Sequence, residues 1–139
     1  MKVADIMTRD VAVARPTDSI QDAARQMAQI DVGSLPVCDG EKIKGMITDR
    51  DITVRAVAEG RSFDTLVTEV MSNEVEYCFD TDDADEAADK MAGSQIRRLP
   101  VVDKDKRLVG IVALADVALH LKDKPTGRTL EDISQPARA

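Results

Sequence analysis

Hydrophobic and polar positions follow two patterns along this chain, and both patterns occur twice. Runs rich in β-branched and apolar residues predict strands at residues 11–14, 35–39, 43–48, 75–79, 99–103 and 107–114. Apolar residues at the spacing of a helix face follow the first and fourth runs, as Ile20, Ala23, Met27 and Ile30 and as Ala84, Ala87, Ala88 and Met91. Closing helices are predicted from Asp51 to Ala58 and from Asp116 to Leu121. Each half therefore has the order β-α-β-β-α, which predicts an α/β (α+β) fold class.

Start signals precede the first helix of each half. Asp18 is followed three positions later by Gln21, which fits a capping box. The second signal is the segment from Thr81 to Asp83. It lies within an acidic cluster made of Asp80, Asp82, Asp83, Asp85, Glu86 and Asp89. A metal site is one interpretation of this cluster, but acids also complement the positive end of a helix dipole, and we favour that second interpretation.

The two halves are copies of one unit. The tripeptide Leu-Pro-Val stands at residues 35–37 and again at 99–101, a shift of 64 residues. The second copy then gains one residue, so a shift of 65 relates Gly45 to Gly110 and Asp51 to Asp116. We place the copies at residues 1–62 and 65–122, and predict a flexible tail at 123–139. Because a unit this short is marginal alone, we expect the copies to pack about a pseudo-twofold axis.

Composition excludes several functions. The 139 residues carry 19 basic and 26 acidic side chains, a net charge of −7. Long-range repulsion between such a chain and phosphate backbones disfavours nucleic-acid binding. Aromatic residues make up 2 % of the sequence, so stacking platforms for single strands are scarce. Neither a signal peptide nor a membrane span is predicted, and we expect a soluble, cytoplasmic protein without a membrane partner.

Candidate chemistry is sparse. With a single histidine, His120, no Ser/His/Asp or Cys/His set can be assembled, so we expect no enzyme activity. Cys38 and Cys78 lack the close partners of a zinc site, and we interpret them as small buried hydrophobes, with their role left open. We predict no metal site and no required cofactor.

The order of these motifs resembles the tandem cystathionine-β-synthase (CBS) domain pair, or Bateman module. The resemblance covers residues 2–122, and its carriers are "VADIM" and "VTEVM", the two "LPV" segments, and the segments "GMITDRD" and "GIVALAD". It implies two clefts that bind adenosine compounds such as AMP, ADP, ATP, S-adenosylmethionine or NAD. It also implies a regulatory role, a homodimer shaped as a flat disc, and an unidentified protein partner that receives the signal.

The CBS family has the nucleotide signature Gly-apolar-x-[Ser/Thr]-x-x-[Asp/Asn]. The resemblance implies that its hydroxyl contacts the phosphate and that its acid accepts hydrogen bonds from the ribose hydroxyls. Thr48 and Asp51 match this signature. The main predicted cleft consists of Met46, Thr48, Arg50, Asp51, Val75, Glu76, Ile96, Arg97 and Arg98. Arginine suits phosphate because its planar fork gives bidentate hydrogen bonds. The second, weaker cleft consists of Ala12, Val32, Gly33 and Asp116, and there Ala113 replaces the hydroxyl.

Three alternatives remain open. Thr48 and Asp51 are also what a strand end and a helix N-cap require, and the same holds for Asp116. Arg97 and Arg98 also fit a solvated edge that neutralises acidic neighbours. At the level of function, the alternative to an adenine-nucleotide sensor is a ligand-independent interaction scaffold with vestigial clefts.

Overall fold

A computed structural model describes residues 1–120 of the chain. It divides into two compact units, each described by itself below. The central unit is Ala12–Val75, and the flanking unit joins Met1–Val11 to the described chain from Glu76 to His120. Helices and strands are mixed and the sheets are small, so the predicted fold class is confirmed. The predicted tail at 123–139 lies outside the described residues.

The central unit contains one helix packed on a two-stranded sheet. Helix α1 is Ile20–Ile30, and the antiparallel strands are β1 (Ser34–Asp39) and β2 (Lys42–Thr48). Helix α2 (Asp49–Asp51) continues without a break into a π-helical segment, Ile52–Val57. A 3-10 turn, Val67–Glu69, closes the unit. Its core is formed by Ala14, Ile20, Ala23, Met27, Leu35, Val37, Ile47, Ala56, Val67 and Val70.

The flanking unit repeats this plan with a three-stranded sheet in the order β3-β4-β5. A 3-10 turn at Val3–Asp5 comes first in the chain. The elements after the central unit are β3 (Cys78–Phe79), α3 (Ala84–Ser94), β4 (Arg98–Val102), β5 (Leu108–Ala113) and α4 (Leu114–His120). β3 pairs with β4 in parallel and β4 with β5 antiparallel.

The compact units are offset from the sequence copies by one short segment. We call residues 1–8 and 65–72, which open the two copies, the lead segments. The lead segment of the first copy packs in the flanking unit, where Thr8 exchanges two backbone hydrogen bonds with Ile111. That of the second copy packs in the central unit, where Ser72 does the same with Met46. Each unit therefore takes its lead segment from the other copy.

This arrangement explains the glycine that both copies retain. A Cβ built on Gly45 would lie 2.6 Å from the carbonyl oxygen of Ser72 and 2.7 Å from the sulfur of Met71. One built on Gly110 would lie 2.6 Å from the sulfur of Met7. Since neither contact is sterically possible, a lead segment can pair this closely with the strand only beside a residue that has no side chain.

The first strand of each copy is shorter than predicted. Residues 11–14 form only a single bridge, from Ala14 to Val37, and residues 75–79 form only the two-residue β3. In the first copy the side-chain amide of Gln26 donates to the carbonyl of Val13 at 3.2 Å. In the second copy Lys90 Nζ donates to the carbonyl of Tyr77 at 2.6 Å. A helix side chain thus satisfies a backbone group that a longer strand would have paired.

Helix starts also differ from the predictions. Ser19, not Asp18, caps α1: its hydroxyl accepts from Asp22 N at 3.0 Å and Asp22 Oδ2 accepts from Ser19 N at 3.1 Å. Asp18 instead accepts from Arg15 N and closes the preceding turn. The closing helices begin at Asp49 and Leu114, two residues earlier than predicted.

The apolar stripes are nearly as predicted. Ala84, Ala87, Ala88 and Met91 are all buried, as are Ile20, Ala23 and Met27. Ile30 is 45 % exposed, because it is the last residue of α1 and the next residue turns away in the left-handed conformation. Within residues 1–120, no helix combines the length and the apolar character needed to span a membrane.

Candidate functional site

The predicted signature lies where β2 runs into α2 in the central unit. Thr48 is the N-cap residue, in extended conformation, and its Oγ1 accepts a hydrogen bond from Asp51 N at 3.0 Å. In return, Asp51 Oδ2 accepts from Thr48 N at 3.1 Å. The two signature residues therefore form a reciprocal capping box. This pairing accounts for one lone pair of the hydroxyl and for one oxygen of the carboxylate.

The remaining polar groups of the pair are available to a ligand. Asp51 is 16 % exposed, and within the described residues its Oδ1 has no hydrogen-bond donor, only the Nε of Arg55 at 3.9 Å. The Thr48 hydroxyl keeps its hydrogen, and both residues stand at the positive end of a helical segment. The junction can therefore accept hydrogen bonds through Oδ1 and donate one through Oγ1.

Asp49 and Arg50 occupy the exposed first turn of the same helix. Asp49 N donates to the carbonyl of Gly33 at 2.9 Å, and Asp49 Oδ1 accepts from Arg50 N at 2.8 Å. A Cβ on Gly33 would come within 3.1 Å of Asp49 Oδ2. The Asp49 carboxylate thus lies against the backbone just before β1, which joins Gly33, a predicted residue of the second cleft, to the signature helix.

The equivalent junction of the flanking unit has half of this arrangement. Asp116 Oδ2 accepts from Ala113 N at 3.0 Å, as Asp51 does from Thr48 N. Ala113 has no hydroxyl to return the bond. Leu114 N donates to the carbonyl of Arg97 at 2.8 Å, the counterpart of the bond from Asp49 to Gly33.

The other predicted site residues are divided between the two units. Met46, Val75, Ala12 and Val32 of the central unit are half-buried, and Arg50 and Gly33 are exposed. In the flanking unit, Ile96 is half-buried and Glu76, Arg97 and Arg98 are exposed. Arg98 pairs with Ala113 across β4 and β5, so both arginines stand beside the junction that contains Asp116. Their predicted association with Thr48 and Asp51 stays a prediction.

Sequence reasoning missed Arg55, whose guanidinium is the cation next to Asp51. Its Nη1 also donates to the carbonyls of Val70 and Met71, at 3.4 and 3.5 Å. An acid followed four residues later by a base on a helix is a recognisable pair, and this spacing is the signal that would have found it.

The cysteines are buried and chemically quiet. Burial raises the pKa of the Cys38 thiol to about 11. Burial, together with the nearby carboxylate of Asp82, raises the pKa of Cys78 to about 12, against an opposing effect of Lys90. Both thiols are therefore protonated at neutral pH, and they fit the predicted role of small hydrophobes. In the described part of the chain, no three His, Cys, Asp or Glu side chains gather as a metal site would require.

Comparison with known proteins agrees with the repeat. The family model of the CBS domain matches twice, at residues 3–57 and 67–123. The CBS domain-containing protein YhcV of Bacillus subtilis is 45 % identical over 133 residues, which cover 95 % of this chain and 94 % of that protein.

Solved structures agree as well. Hypoxic Response Protein I, in a structure with two coordinated zinc ions, has a TM-score of 0.79 at 34 % identity, covering 87 % of this chain and 99 % of that one. CBSX2 in complex with AMP has a TM-score of 0.77 at 29 % identity, covering 87 % and 98 %. The CBS domain pair of MJ0100, in complex with 5′-methylthioadenosine and S-adenosyl-L-methionine, has a TM-score of 0.75 at 30 % identity, covering 89 % and 98 %. The chain described here belongs to the CBS-domain family and contains two CBS domains in tandem.

Proposed function

We propose that this protein is a regulatory module that binds an adenine nucleotide or a related adenosyl compound and passes its occupancy to a partner. The observation that carries the proposal is the junction of Thr48 and Asp51. There a capping box leaves one carboxylate oxygen and one hydroxyl hydrogen free at a helix start. In this proposal Asp51 Oδ1 accepts hydrogen bonds from the ribose hydroxyls, and the Thr48 hydroxyl donates to a phosphate oxygen.

Two similar proteins support the class of ligand. CBSX2 is described in complex with AMP, and MJ0100 with 5′-methylthioadenosine and S-adenosyl-L-methionine. The shared part of these ligands is adenosine, so we propose AMP, ADP, ATP, NAD or S-adenosylmethionine as candidates. The positive charges proposed for a phosphate are Arg50, Arg97 and Arg98, whose exposed side chains can move. Met46, Val75, Glu76 and Ile96 are proposed as walls for the adenine.

A second, weaker site is proposed around Asp116, with Ala12, Val32 and Gly33. Asp116 keeps a carboxylate oxygen for ribose, but Ala113 removes the hydroxyl. In addition, Gly33 lies against the Asp49 carboxylate, which repels an anion. A nucleoside fits this site better than a nucleotide does, and the two sites are therefore unequal.

Binding is tested by a thermal-shift screen with AMP, ADP, ATP, NAD and S-adenosylmethionine. A ligand at 100 times its Kd stabilises a single site by about 2.7 kcal/mol, so the melting temperature rises with concentration. Asp51→Ala is expected to weaken binding roughly tenfold or more, because a charged hydrogen-bond acceptor is lost. Asp116→Ala is expected to leave the tighter site unchanged. A wild-type protein whose melting temperature is unmoved by every compound contradicts the proposal.

Thr48→Ala needs a matched control, because it removes a helix cap as well as a proposed ligand contact. Ser19→Ala removes an equivalent cap hydrogen bond in the same unit, far along the chain from the junction. Both variants are expected to lose about 1 kcal/mol of stability without ligand. Only Thr48→Ala is expected to bind AMP more weakly. If isothermal titration gives both variants the same affinity for AMP, the Thr48 hydroxyl does not contact the ligand.

A second candidate function, a ligand-independent scaffold, is favoured by exposed apolar residues on the closing helices. Val54 and Leu119 stand at equivalent positions of the two copies and are 45 % and 71 % exposed. Val57 is 65 % exposed one turn beyond Val54. As part of the main proposal, these residues contact the second subunit of a cytoplasmic homodimer or the unidentified partner. Native mass spectrometry of the freshly purified protein reports subunit number and retained ligand together.

A further inference from the structure

Arg55 lies beside the proposed site but has no role in the proposed function. Its Nε lies 3.9 Å from Asp51 Oδ1, the carboxylate oxygen that Thr48 leaves free. Its Nη1 donates to the carbonyl oxygens of Val70 and Met71 at 3.4 and 3.5 Å. One guanidinium therefore contacts both the signature acid and the end of the 3-10 turn in the second lead segment.

The second lead segment is followed closely in the chain by Val75, a residue proposed to contact the adenine. Ser72 exchanges two backbone hydrogen bonds with Met46, and the sulfur of Met71 covers Gly45. Three residues after Ser72 the chain reaches Val75. Arg55 thus lies beside the acid proposed for ribose and donates to the segment that positions the residue proposed for adenine.

The geometry points to Arg55 as a positioning residue of the ribose site, acting through Asp51. A carboxylate with one oxygen bonded to a backbone N–H can still tilt about that bond. A cation beside the other oxygen restrains the plane of the carboxylate. The guanidinium also donates to two backbone carbonyls, at 3.4 and 3.5 Å. A lysine ammonium lacks the planar fork that can contact these carbonyls and the carboxylate together. This inference rests on the proposed function, since it concerns the same site.

The second copy has a different residue at the position of Arg55. The shift of 65 that relates Asp51 to Asp116 places His120 at the position of Arg55. Among residues 1–120, no ion pair joins His120 to Asp116. The two copies therefore differ at a second position of the junction, besides Thr48 and Ala113. His120→Gln is the matched control for Arg55→Gln.

The test is isothermal titration of the full-length protein with AMP, 2′-deoxy-AMP and adenosine. Arg55→Gln is expected to weaken AMP binding about fivefold and to reduce the preference for AMP over 2′-deoxy-AMP by a similar factor. Arg55→Lys, which keeps the charge, is expected to recover part of the preference. In an Asp51→Asn background, Arg55→Gln is expected to cause no further loss, because its effect passes through the carboxylate. His120→Gln is expected to change none of these affinities.

Several results would overturn the inference. If the loss persists in the Asp51→Asn background and is larger for AMP than for adenosine, Arg55 is a phosphate contact. If Arg55→Gln lowers all three affinities equally and lowers the melting temperature without ligand by more than about 3 °C, its role is only structural. Unchanged affinities also exclude it. These failures leave the proposed function standing, whereas a wild-type protein that binds none of the three probes contradicts both.

Discussion

The two strand-to-helix junctions share their backbone frame and differ in their side chains. Gly45 and Gly110 each lie under the sulfur of a methionine from a lead segment, and Asp51 and Asp116 each accept the same backbone hydrogen bond. At the positions of Thr48 and Arg55 in the first junction, the second junction has Ala113 and His120. After the cap, the first junction continues as a π-helix and the second as a regular α-helix.

This difference changes how the duplicated sequence should be interpreted. The aspartate serves as a cap in both copies, so its presence alone does not indicate a ligand. The Thr48 hydroxyl also has a structural use, as the other half of the capping box. What remains specific to the first junction is the combination of a hydroxyl, a carboxylate with one free oxygen, and an arginine beside it. A π-helical turn next to such a group is a frequent feature of functional sites.

The largest effect is expected from adding a methyl group to the shared glycines. Gly45→Ala and Gly110→Ala are each expected to lose about 2–3 kcal/mol of unfolding free energy, because the lead segment must move away from the strand. Gly93→Ala is the control: it lies within α3 with nothing within 4 Å of its added Cβ, and is expected to gain about 0.5–1 kcal/mol. Urea denaturation measures all three. A tolerated change at only one of the two glycines would show that the frames are not equivalent.

A smaller effect is expected from giving the second junction the hydroxyl of the first. Ala113→Thr supplies the missing half of the capping box opposite Asp116 and is expected to raise the stability by about 0.5–1 kcal/mol. Its melting temperature is compared with that of Ala113→Val, which adds the same shape without the hydroxyl. If both variants melt at the same temperature, capping is not the reason for the difference between the copies.

At neutral pH the smallest effect is expected from the two thiols, which change stability only at alkaline pH. Because burial raises the pKa of Cys38 to about 11 and of Cys78 to about 12, the thiols of the unfolded chain ionise first, near pH 9. The folded state then holds more protons, so the cysteines leave stability unchanged below pH 9 and lower it as pH rises toward 11 and 12. Cys38→Val and Cys78→Ala, which copy the residues at the equivalent positions Val102 and Ala14, are expected to flatten this decline. A decline of unchanged slope in unfolding measurements from pH 8 to 10.5 contradicts the assignment.

Much of the fold followed from periodicity. The stripe from Ala84 to Met91 is buried throughout, and the strands around the two Leu-Pro-Val segments are present as predicted. These elements are local patterns of five to eleven residues in which each position has a neighbour at a fixed spacing. Spacing of this kind depends on no distant contact, and it can be seen in the sequence.

The predictions were wrong where two local patterns compete or where a contact depends on the fold. Asp18 with Gln21 and Ser19 with Asp22 both fit a capping box, and the turn that Asp18 makes with Arg15 decided between them. The first strands were predicted too long, since the sequence does not reveal that Gln26 and Lys90 bond to the carbonyls there. The junction of Thr48 and Asp51 was identified as a candidate from its signature, and its part in ligand binding stays a prediction. Arg55 was missed although its spacing from Asp51 is visible in the sequence, and only its contacts with the carbonyls of Val70 and Met71 depend on the fold.

By itself, the sequence determined that this protein consists of two copies of one β-α-β-β-α pattern and which junction carries the extra polar groups. Only the tertiary structure decided that each lead segment packs with the other copy and that Arg55 donates to the carbonyls of Val70 and Met71. The physical reason is that hydrophobic periodicity and capping preference act between residues a few positions apart. The close approach of a lead segment to a glycine depends instead on steric contacts between residues more than twenty positions apart, which no local pattern encodes.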